Sequence, residues 1–436
     1  MAAPRFMLRG DVELYNIAQF LALCTFLLSE PRKRFRFLRH LWLEFPLDIT
    51  AIQHSNIIAN FFSQATELES LALIDCDLLL VHPSMLTSFS PMTNLRYLRL
   101  HDMSRDGFEV LKRVQAPLPF IHVKFDQEDP ADLVPLLSHF RHSLKTIEAS
   151  GVIMRNADFQ YPLVTIVCMS WCETVRLFIL ADCFPNLREL HFHSKYDEMG
   201  RMTDEEEESM ESTREDNIES AEDVPWTSLQ SVSSAVVTMY MLGLKCRTEN
   251  LDLSLSPMWG WNDSDKLQII LADLLPMHLT LFVALNIPEF DLSGFGDMLW
   301  AARNTLTRLR LTVRVHGPCY SDCSLQLKVL LQSLSNFTLQ ALRLRLTWVK
   351  RGYYDCPSNI LAGDVSASDA SMVDPFVALD HMMLAQHAAH CLPTLKRFCV
   401  DSHCFTITRD QAGAPELQVQ IFQRPSQKPR RRAGFF

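Results

Sequence analysis

Glycine is scarce in this chain, with 13 in 436 residues. That scarcity argues against nucleotide-binding folds, whose phosphate loops are built on closely spaced glycines. No G-x-x-x-x-G-K-[ST], no G-x-G-x-x-G after a strand, no H-E-x-x-H and no G-x-S-x-G occurs, so the usual signatures of phosphate binding, metalloprotease and hydrolase chemistry are missing. Long apolar runs are missing too. The longest, FLALCTFLL from Phe20 to Leu28, falls far short of the roughly 18 residues a membrane-spanning helix needs. No secretory signal opens the chain, because MAAPRFMLRG is polar and basic. We therefore expect no membrane partner, a cytoplasmic and/or nuclear location, and 12 scattered cysteines kept as reduced thiols. The glycosylation sequons at Asn262 and Asn336 would then go unused. Positive charge is in deficit, with 41 Lys and Arg against 51 Asp and Glu and a net charge of −10, which speaks against a nucleic-acid partner.

What the chain has in quantity is leucine at a fixed spacing. The segment LESLALIDCDL, Leu68 to Leu78, fits the leucine-rich-repeat template L-x-x-L-x-L-x-x-[N/C]-x-L, with Cys76 at the turn position. The pattern returns in LRHLWLEF at Leu38, LRYLRLHDM at Leu95, LPFIHVKF at Leu118, LKTIEASGV at Leu144, LVTIVCMSW at Leu163 and LRELHFHS at Leu187. Further copies are LQSVSSAVV at Leu229, ENLDLSLSP around Leu251, HLTLFVAL around Leu279, LTRLRLTVRV at Leu306, LQALRLRLTWV at Leu339 and LKRFCVDSHC at Leu395. The earlier copies start about 20–30 residues apart, close to the leucine-rich-repeat period. Leu at the first, fourth and sixth positions sends apolar side chains to one side of a short strand. One such unit cannot bury that side alone, so units stack and share a core. Between them, PSMLTSFSPMT and DPADLVPLLSHFRHS read as short helices. Alternating strand and helix predicts an α/β leucine-rich-repeat-like solenoid, a horseshoe with a parallel concave sheet, convex helices and irregular repeats.

The organisation follows. Residues 1–30 form an N-terminal capping region: VELYNIAQFLALCTFLLS has helical periodicity, Asp11 is placed as the N-cap and Pro31 follows the stop. Residues 31–196 and 226–423 are two repeat halves. Between them, 197–225 reads as an acidic disordered insertion. From Asp197 to Asp223 it holds 13 acidic residues against Arg201 and Arg214, a local charge of −11 that accounts for the whole chain's excess. Ser209, Ser212, Thr213 and Ser220 sit among these acids, as acidophilic kinases prefer. Tyr354 to Asp374 is a Ser-, Ala- and Asp-rich loop before the helical stretch PFVALDHMMLAQHAAHCL. Residues 424–436 form a basic disordered tail in which KPRRR resembles a nuclear-import signal.

No nucleophile–base pair stands out, so the chain is expected to be non-catalytic, with no cofactor. Cys168-x3-Cys172 and Cys319-x3-Cys323 lack a second pair and do not make a zinc site. His387, His390, Cys391, Cys399, His403 and Cys404 are the nearest thing to a ligand set, but His and Cys of this kind are more often structural, and no metal is assigned. Strand side chains alternate faces, so the positions between the leucines line the open side of the sheet. There Trp42, Tyr97, Arg99, His191, His193, Arg308, Arg310, Arg343 and Arg345 are the candidate residues for contacting a partner. Stacking would bring Arg308 and Arg310 near Arg343 and Arg345. Clustered arginine suits carboxylate or phosphate, and Arg with aromatics is typical of interface hot spots.

The stretch LRGDVELYNIAQFLALCTFLLSEPRKRFRFLRHLWL, Leu8 to Leu43, resembles the fungal F-box proteins with degenerate leucine-rich repeats. Three features carry the likeness: the L-R-x-x-V-x-L start at Leu8 to Leu14, the helix end from Phe26 to Pro31, and R-F-x-x-L-R-x-L at Arg34 to Leu41. The resemblance implies the substrate-recognition subunit of an SCF-type ubiquitin ligase, with repeats holding a protein target and an F-box holding the Skp1 adaptor. It covers the repeat region. An F-box would precede Leu8, so Skp1 is expected as a partner only where an F-box is encoded upstream. The alternative is a stand-alone leucine-rich-repeat scaffold with no ligase link.

Overall fold

Leucines two residues apart point to one side of an extended strand, and all thirteen segments named above hold a strand in the computed structural model of the chain. The structure describes residues 11–45, 53–75, 83–103, 107–125, 130–172, 176–194, 204–220, 225–255, 264–285, 292–316, 323–349, 376, 379–401, 403–410 and 413–421. Cys76, Asn262, Cys319, the loop Tyr354–Asp374 and the basic tail lie outside the described residues. The architecture is α/β with a large, mostly parallel sheet, and the chain divides into two compact units. The first holds residues 1–197, 208–229 and 241–243; the second holds 198–207, 230–240 and 244–436.

In the first unit the strands are β1 (Val12–Leu14), β2 (His40–Glu44), β3 (Ser70–Ile74), β4 (Tyr97–Met103), β5 (Phe120–Phe125), β6 (Ala131–Asp132), β7 (Thr146–Ser150), β8 (Val152–Ile153), β9 (Ile166–Cys172) and β10 (Glu189–Ser194). They pair in chain order as β1-β2-β3-β4-β5-β7-β9-β10, all parallel, while β6 and β8 form a separate two-stranded ribbon. The second unit takes up β11 (Ser228–Ala235) at Gln230 and continues through β12 (Arg247–Leu255), β13 (His278–Leu285), β14 (Arg308–His316), β15 (Ala341–Val349) and β16 (Arg397–Val400). Strands β12 to β16 are parallel. The antiparallel pairs of β16 with β17 (His403–Arg409) and of β17 with β18 (Pro415–Ile421) close this unit. Strands β1, β17 and β18 are not expected from the leucine pattern, because they do not carry it.

Sequential parallel order with crossovers of one hand puts every connection on the same side of a sheet. The burial pattern agrees. On β5 Ile121, Val123 and Phe125 are buried and Phe120, His122 and Lys124 are half-exposed; on β14 Leu309, Leu311 and Val313 are buried and Arg308, Arg310 and Arg314 exposed. On the covered side the helix Ile17–Leu28 buries Phe20, Cys24 and Leu27, one helical stripe, against helix Ser55–Gln64. Phe20 meets Phe61 edge-on at 5.2 Å and Phe62 stacks on Phe89 at 5.0 Å, so aromatic packing closes this end of the core. The N-cap of the first helix is Asn16, whose side chain accepts from the Gln19 N–H at 2.9 Å. Asp11 is not the cap, because Val12–Leu14 extend as β1 beside β2 and delay the helix.

One hydrogen-bond arrangement recurs at the starts of the strands. A single carbonyl accepts two successive N–H groups from the start of the next strand. Arg39 O takes Glu69 and Ser70, Glu69 O takes Arg96 and Tyr97, Lys145 O takes Thr165 and Ile166, and Thr165 O takes Arg188 and Glu189, at 2.8–3.3 Å. The second unit repeats it: Met277 O with Thr307 and Arg308, Thr307 O with Gln340 and Ala341, Gln340 O with Lys396 and Arg397. Side chains join in. Asn94 Nδ2 donates to Thr66 O (3.0 Å), Asn186 Nδ2 to Pro162 O (2.9 Å) and Thr394 Oγ1 to Leu339 O (2.8 Å). These are the residues directly before Leu95, Leu187 and Leu395.

Two further expectations are corrected. LVTIVCMSW does not start its repeat at Leu163, which is 46% exposed; Val164, Val167 and Met169 are the buried set. A frame shift of one residue turns each strand side chain to the other face. The acidic insertion is not disordered across its described part, because Asp204–Ser220 is a 17-residue helix. Glutamate is a good helix former and no Gly or Pro interrupts the run. Met210, Arg214 and Asn217 form a buried stripe on it. Asn217 Oδ1 accepts the Leu177 N–H at 2.7 Å and its Nδ2 donates to Met241 O at 3.0 Å. Gly243, at φ +58°, lets Ile218 approach to where a Cβ would sit 3.0 Å from Ile218 Cγ1. Net charge misleads here because one stripe is enough to hold a helix.

Truncating Asn217 to Ala strands a buried N–H and a buried carbonyl, so N217A should destabilise the first unit by about 2–4 kcal/mol. Amide exchange over 204–220 should quicken with it. Wild-type amides there that already exchange as fast as an unstructured peptide would refute the docked helix.

Candidate interaction faces

The parallel register lays the open-face residues of the first unit in rows. One row runs Trp42, Ala72, Arg99, His122, Glu148, Cys168, His191 from β2 to β10. The row on one side starts His40, Ser70, Tyr97, Phe120; the row on the other starts Glu44, Ile74, His101, Lys124. Trp42 and Arg99 are separated by a whole strand, yet the Arg99 guanidinium carbon lies 4.9 Å from the Trp42 ring centre. The residue between them is Ala72, whose short side chain leaves the gap that Arg99 crosses. It ends up only 2% exposed beneath them. Trp42 is held from the other end, its Nε1 donating to Glu44 Oε2 at 3.0 Å.

From Arg99 a chain of bonds crosses the sheet. Arg99 Nε donates to His101 Nε2 (2.8 Å), so that nitrogen carries no proton. His122 Nε2 stands 3.0 Å from the same atom and must be the donor of that pair. On its other side His122 Nδ1 is 3.0 Å from Glu148 Oε2. His122 thus bridges His101 on one strand and Glu148 on the next through its two ring nitrogens. At His101 burial first, then the charges of His122, Arg99 and Lys124, push the pKa down from the ordinary 6.5 to about 2, so it stays neutral. Beside the chain Tyr97 stacks on Phe120 at 4.5 Å. Register slips just past this region, where Asp102 (φ 53°) bulges out of β4 and its carboxylate meets Lys124 Nζ at 2.9 Å.

Of the expected residues in this unit, Trp42, Arg99 and Tyr97 join the cluster. His191 sits further along, 3.8 Å from Glu189, and His193 is exposed at the next row. Phe120, His122 and Glu148 are the members the leucine reading leaves out. Their own segments, LPFIHVKF and LKTIEASGV, place them between the core positions, so the same alternation that finds Arg99 finds them. At Cys168 burial, then Glu148 and Glu189, pushes the thiol up to about 12, which disfavours the thiolate.

The second unit carries a different face. Arg310 pairs in register with Arg343, Arg308 with Ala341, Thr312 with Arg345 and Arg314 with Thr347. The expected neighbours are therefore brought together. Burial, then Arg310 and Arg345, hold the Arg343 guanidinium below its ordinary value. Among the described residues no carboxylate lies within salt-bridge distance of Arg308, Arg310, Arg343 or Arg345. Arg314 is the one with a local partner, 5.1 Å above the Phe282 ring.

The His and Cys of the last segments do not converge. Cys399 and Cys404 oppose each other across β16 and β17 with Cα atoms 4.1 Å apart and form a disulfide, contrary to the expectation of reduced thiols throughout. Direct register in an antiparallel pair sets that distance. Cys391 Sγ instead lies 3.5 Å from His387 Nε2 on the same helix. Among the described residues no group of three or more His, Cys, Asp or Glu is placed to hold a metal ion, and no helix is long and apolar enough to cross a membrane. The chain matches no protein-family model and no curated protein sequence.

His101 gives a pH prediction. The unfolded chain binds a proton below pH 6.5 that the folded chain refuses, so this residue's stability contribution is present above 6.5 and is lost as pH falls. Between about pH 6.5 and 5.5 the unfolding free energy should decline more steeply in the wild type than in His101→Gln, by at most about 1.4 kcal/mol per pH unit. Parallel urea-derived stability curves for the two proteins would show His101 to be protonated in the fold.

Proposed function

We propose that this chain is a non-catalytic binding protein: a leucine-rich-repeat-like horseshoe whose open, concave sheet face holds a protein target. The observation that carries the reading is the division of labour on the strands. Apolar side chains are spent on the helix-covered side, and Arg, His, Trp, Tyr and Phe are arranged in rows on the side left open. All-parallel sheets are ordinarily covered on both faces. A face of aromatics and arginines is the composition of interface hot spots rather than of idle surface.

The likeness of Leu8 to Leu43 to the fungal F-box repeat proteins supports a narrower version. In it the chain resembles the substrate-recognition part of an SCF-type ubiquitin ligase, with Skp1 as the adaptor wherever an F-box is encoded. The stand-alone scaffold differs in one observable, the adaptor.

Proximity labelling in the source cells, with wild type beside Trp42→Ala/Arg99→Ala and Arg310→Ala/Arg343→Ala, tests the binding reading. We expect a defined set of proteins labelled by the wild type and depleted several-fold in at least one double variant. Equal labelling by all three would remove the open face from the account. Skp1 among the labelled proteins selects the ligase reading, and its consistent absence from the full-length product selects the scaffold.

A further inference from the structure

The arginines of the second unit are distributed in a way that specifies a partner. Along a strand, residues on one face recur every second position, about 6.6–6.8 Å apart. Four successive rows on β14 and β15 each offer a guanidinium: Arg308 in the first, Arg310 beside Arg343 in the second, Arg345 in the third and Arg314 in the fourth. The row partners that are not arginine are Ala341, Thr312 and Thr347, which are uncharged. The carboxylate sharing the second row, Asp252, is on β12, separated from Arg310 by Thr280 of β13. The face is thus a ladder of positive charge about 20 Å long with the period of a β-strand.

We propose that this ladder binds an extended acidic peptide segment whose Asp or Glu residues fall at every second position. The inference rests on the reading of the open sheet face as the binding surface and names the chemistry of its partner. An extended peptide presents alternate side chains to one side with the same repeat as the rows, so each carboxylate meets one row. Each guanidinium offers a planar fork that takes a carboxylate bidentately, and among the described residues no carboxylate is within salt-bridge distance of Arg308, Arg310, Arg343 or Arg345. A single phosphate monoester concentrates its charge at one point and would satisfy one or two rows. A single-stranded nucleic acid needs exposed aromatic platforms for its bases. On this face Phe282 is covered by Arg314, and His278 is bonded to Asn250 at 2.9 Å.

The test uses the full chain and fluorescence anisotropy with dye-labelled peptides of roughly twelve residues. One has Glu at alternate positions separated by Ser. A second has the same composition with its Glu residues in one block, a third carries a single phosphoserine, and a short single-stranded RNA is the fourth probe. We expect the alternating peptide to bind at least about ten-fold more tightly than the other three at low salt. Arg310→Ala/Arg343→Ala should lose that binding with an unchanged melting temperature, and Arg310→Lys/Arg343→Lys should recover part of it. Binding should weaken as salt rises from about 50 to about 200 mM. Equal affinity for the alternating and blocked peptides, or tighter binding of the phosphopeptide or RNA, would overturn the proposal. The two readings separate cleanly. If the alternating peptide fails while the double arginine variant still loses labelled partners in cells, the face binds protein but not this class. If neither responds, the face reading fails as well.

Discussion

A strand carbonyl that serves two N–H groups of the next strand's start is the constraint on which the rest of the architecture depends. It fixes the phase of each strand against its predecessor before any side chain is considered. Once Arg39, Glu69, Lys145 and Thr165 in one unit, and Met277, Thr307 and Gln340 in the other, accept in this way, the apolar residues two and four positions on must point to the same side throughout. Parallel neighbours in chain order then force a connection of ten or more residues back across one face each time. The helices go where those connections go, and the opposite face is left bare. Few glycines are needed because the strands turn into their connections without a run of positive-φ positions. Where such a conformation occurs inside a sheet strand, at Asp102 and Trp171, the ladder skips a residue.

On the bare face the same period-two alternation brings together residues far apart in sequence, and size decides which of them touch. Trp42 and Arg99 meet because the position between them is Ala72. A Leu there would fill the gap and separate them. A face read strand by strand looks like a list of polar residues. Read across the register it is a set of rows, and in the first unit one row has become a bonded chain through Arg99, His101, His122 and Glu148. Such a chain would hold these side chains in one arrangement, which would lower the ordering cost of any binding there.

The strands were legible in the sequence because Leu spacing has one physical meaning wherever it occurs. The failures come from places where something other than that spacing sets the structure. Leu163 matches the template, but Val164 is the residue the core takes, since valine and leucine are equally apolar and only the neighbours' phase distinguishes the frames. Asp11 is a good N-cap in the wrong place, because β1 pairing outweighs a local cap. The acidic helix was hidden by its charge. Its stripe of Met210, Arg214 and Asn217 contains one apolar residue, so periodicity of hydrophobicity is silent where a hydrogen-bonding Asn does the anchoring. The disulfide depends on the register of β16 and β17, and no linear spacing rule gives that register. The candidate face was readable one strand at a time; Phe120, His122 and Glu148 needed the rows.

The two faces also differ in whether their charges are answered. In the first unit Lys124 has Asp102 and Arg39 has Glu67 and Glu69. In the second, Arg310 and Arg343 stand directly opposite each other in register, an arrangement that costs a few tenths of a kcal/mol or more relative to neutral neighbours. Exposed strand positions need only be polar, and threonine fills them well on this same face at Thr280, Thr312 and Thr347. A sheet selected for stability alone would use threonine at 310 and 343 too, gaining strand propensity and losing the repulsion. Keeping arginine at the paired positions 310 and 343, with one more in each of the flanking rows, makes the folded protein carry a small electrostatic penalty that an anionic partner would relieve on binding. Repulsion built into the unbound face is then part of the affinity for whatever neutralises it.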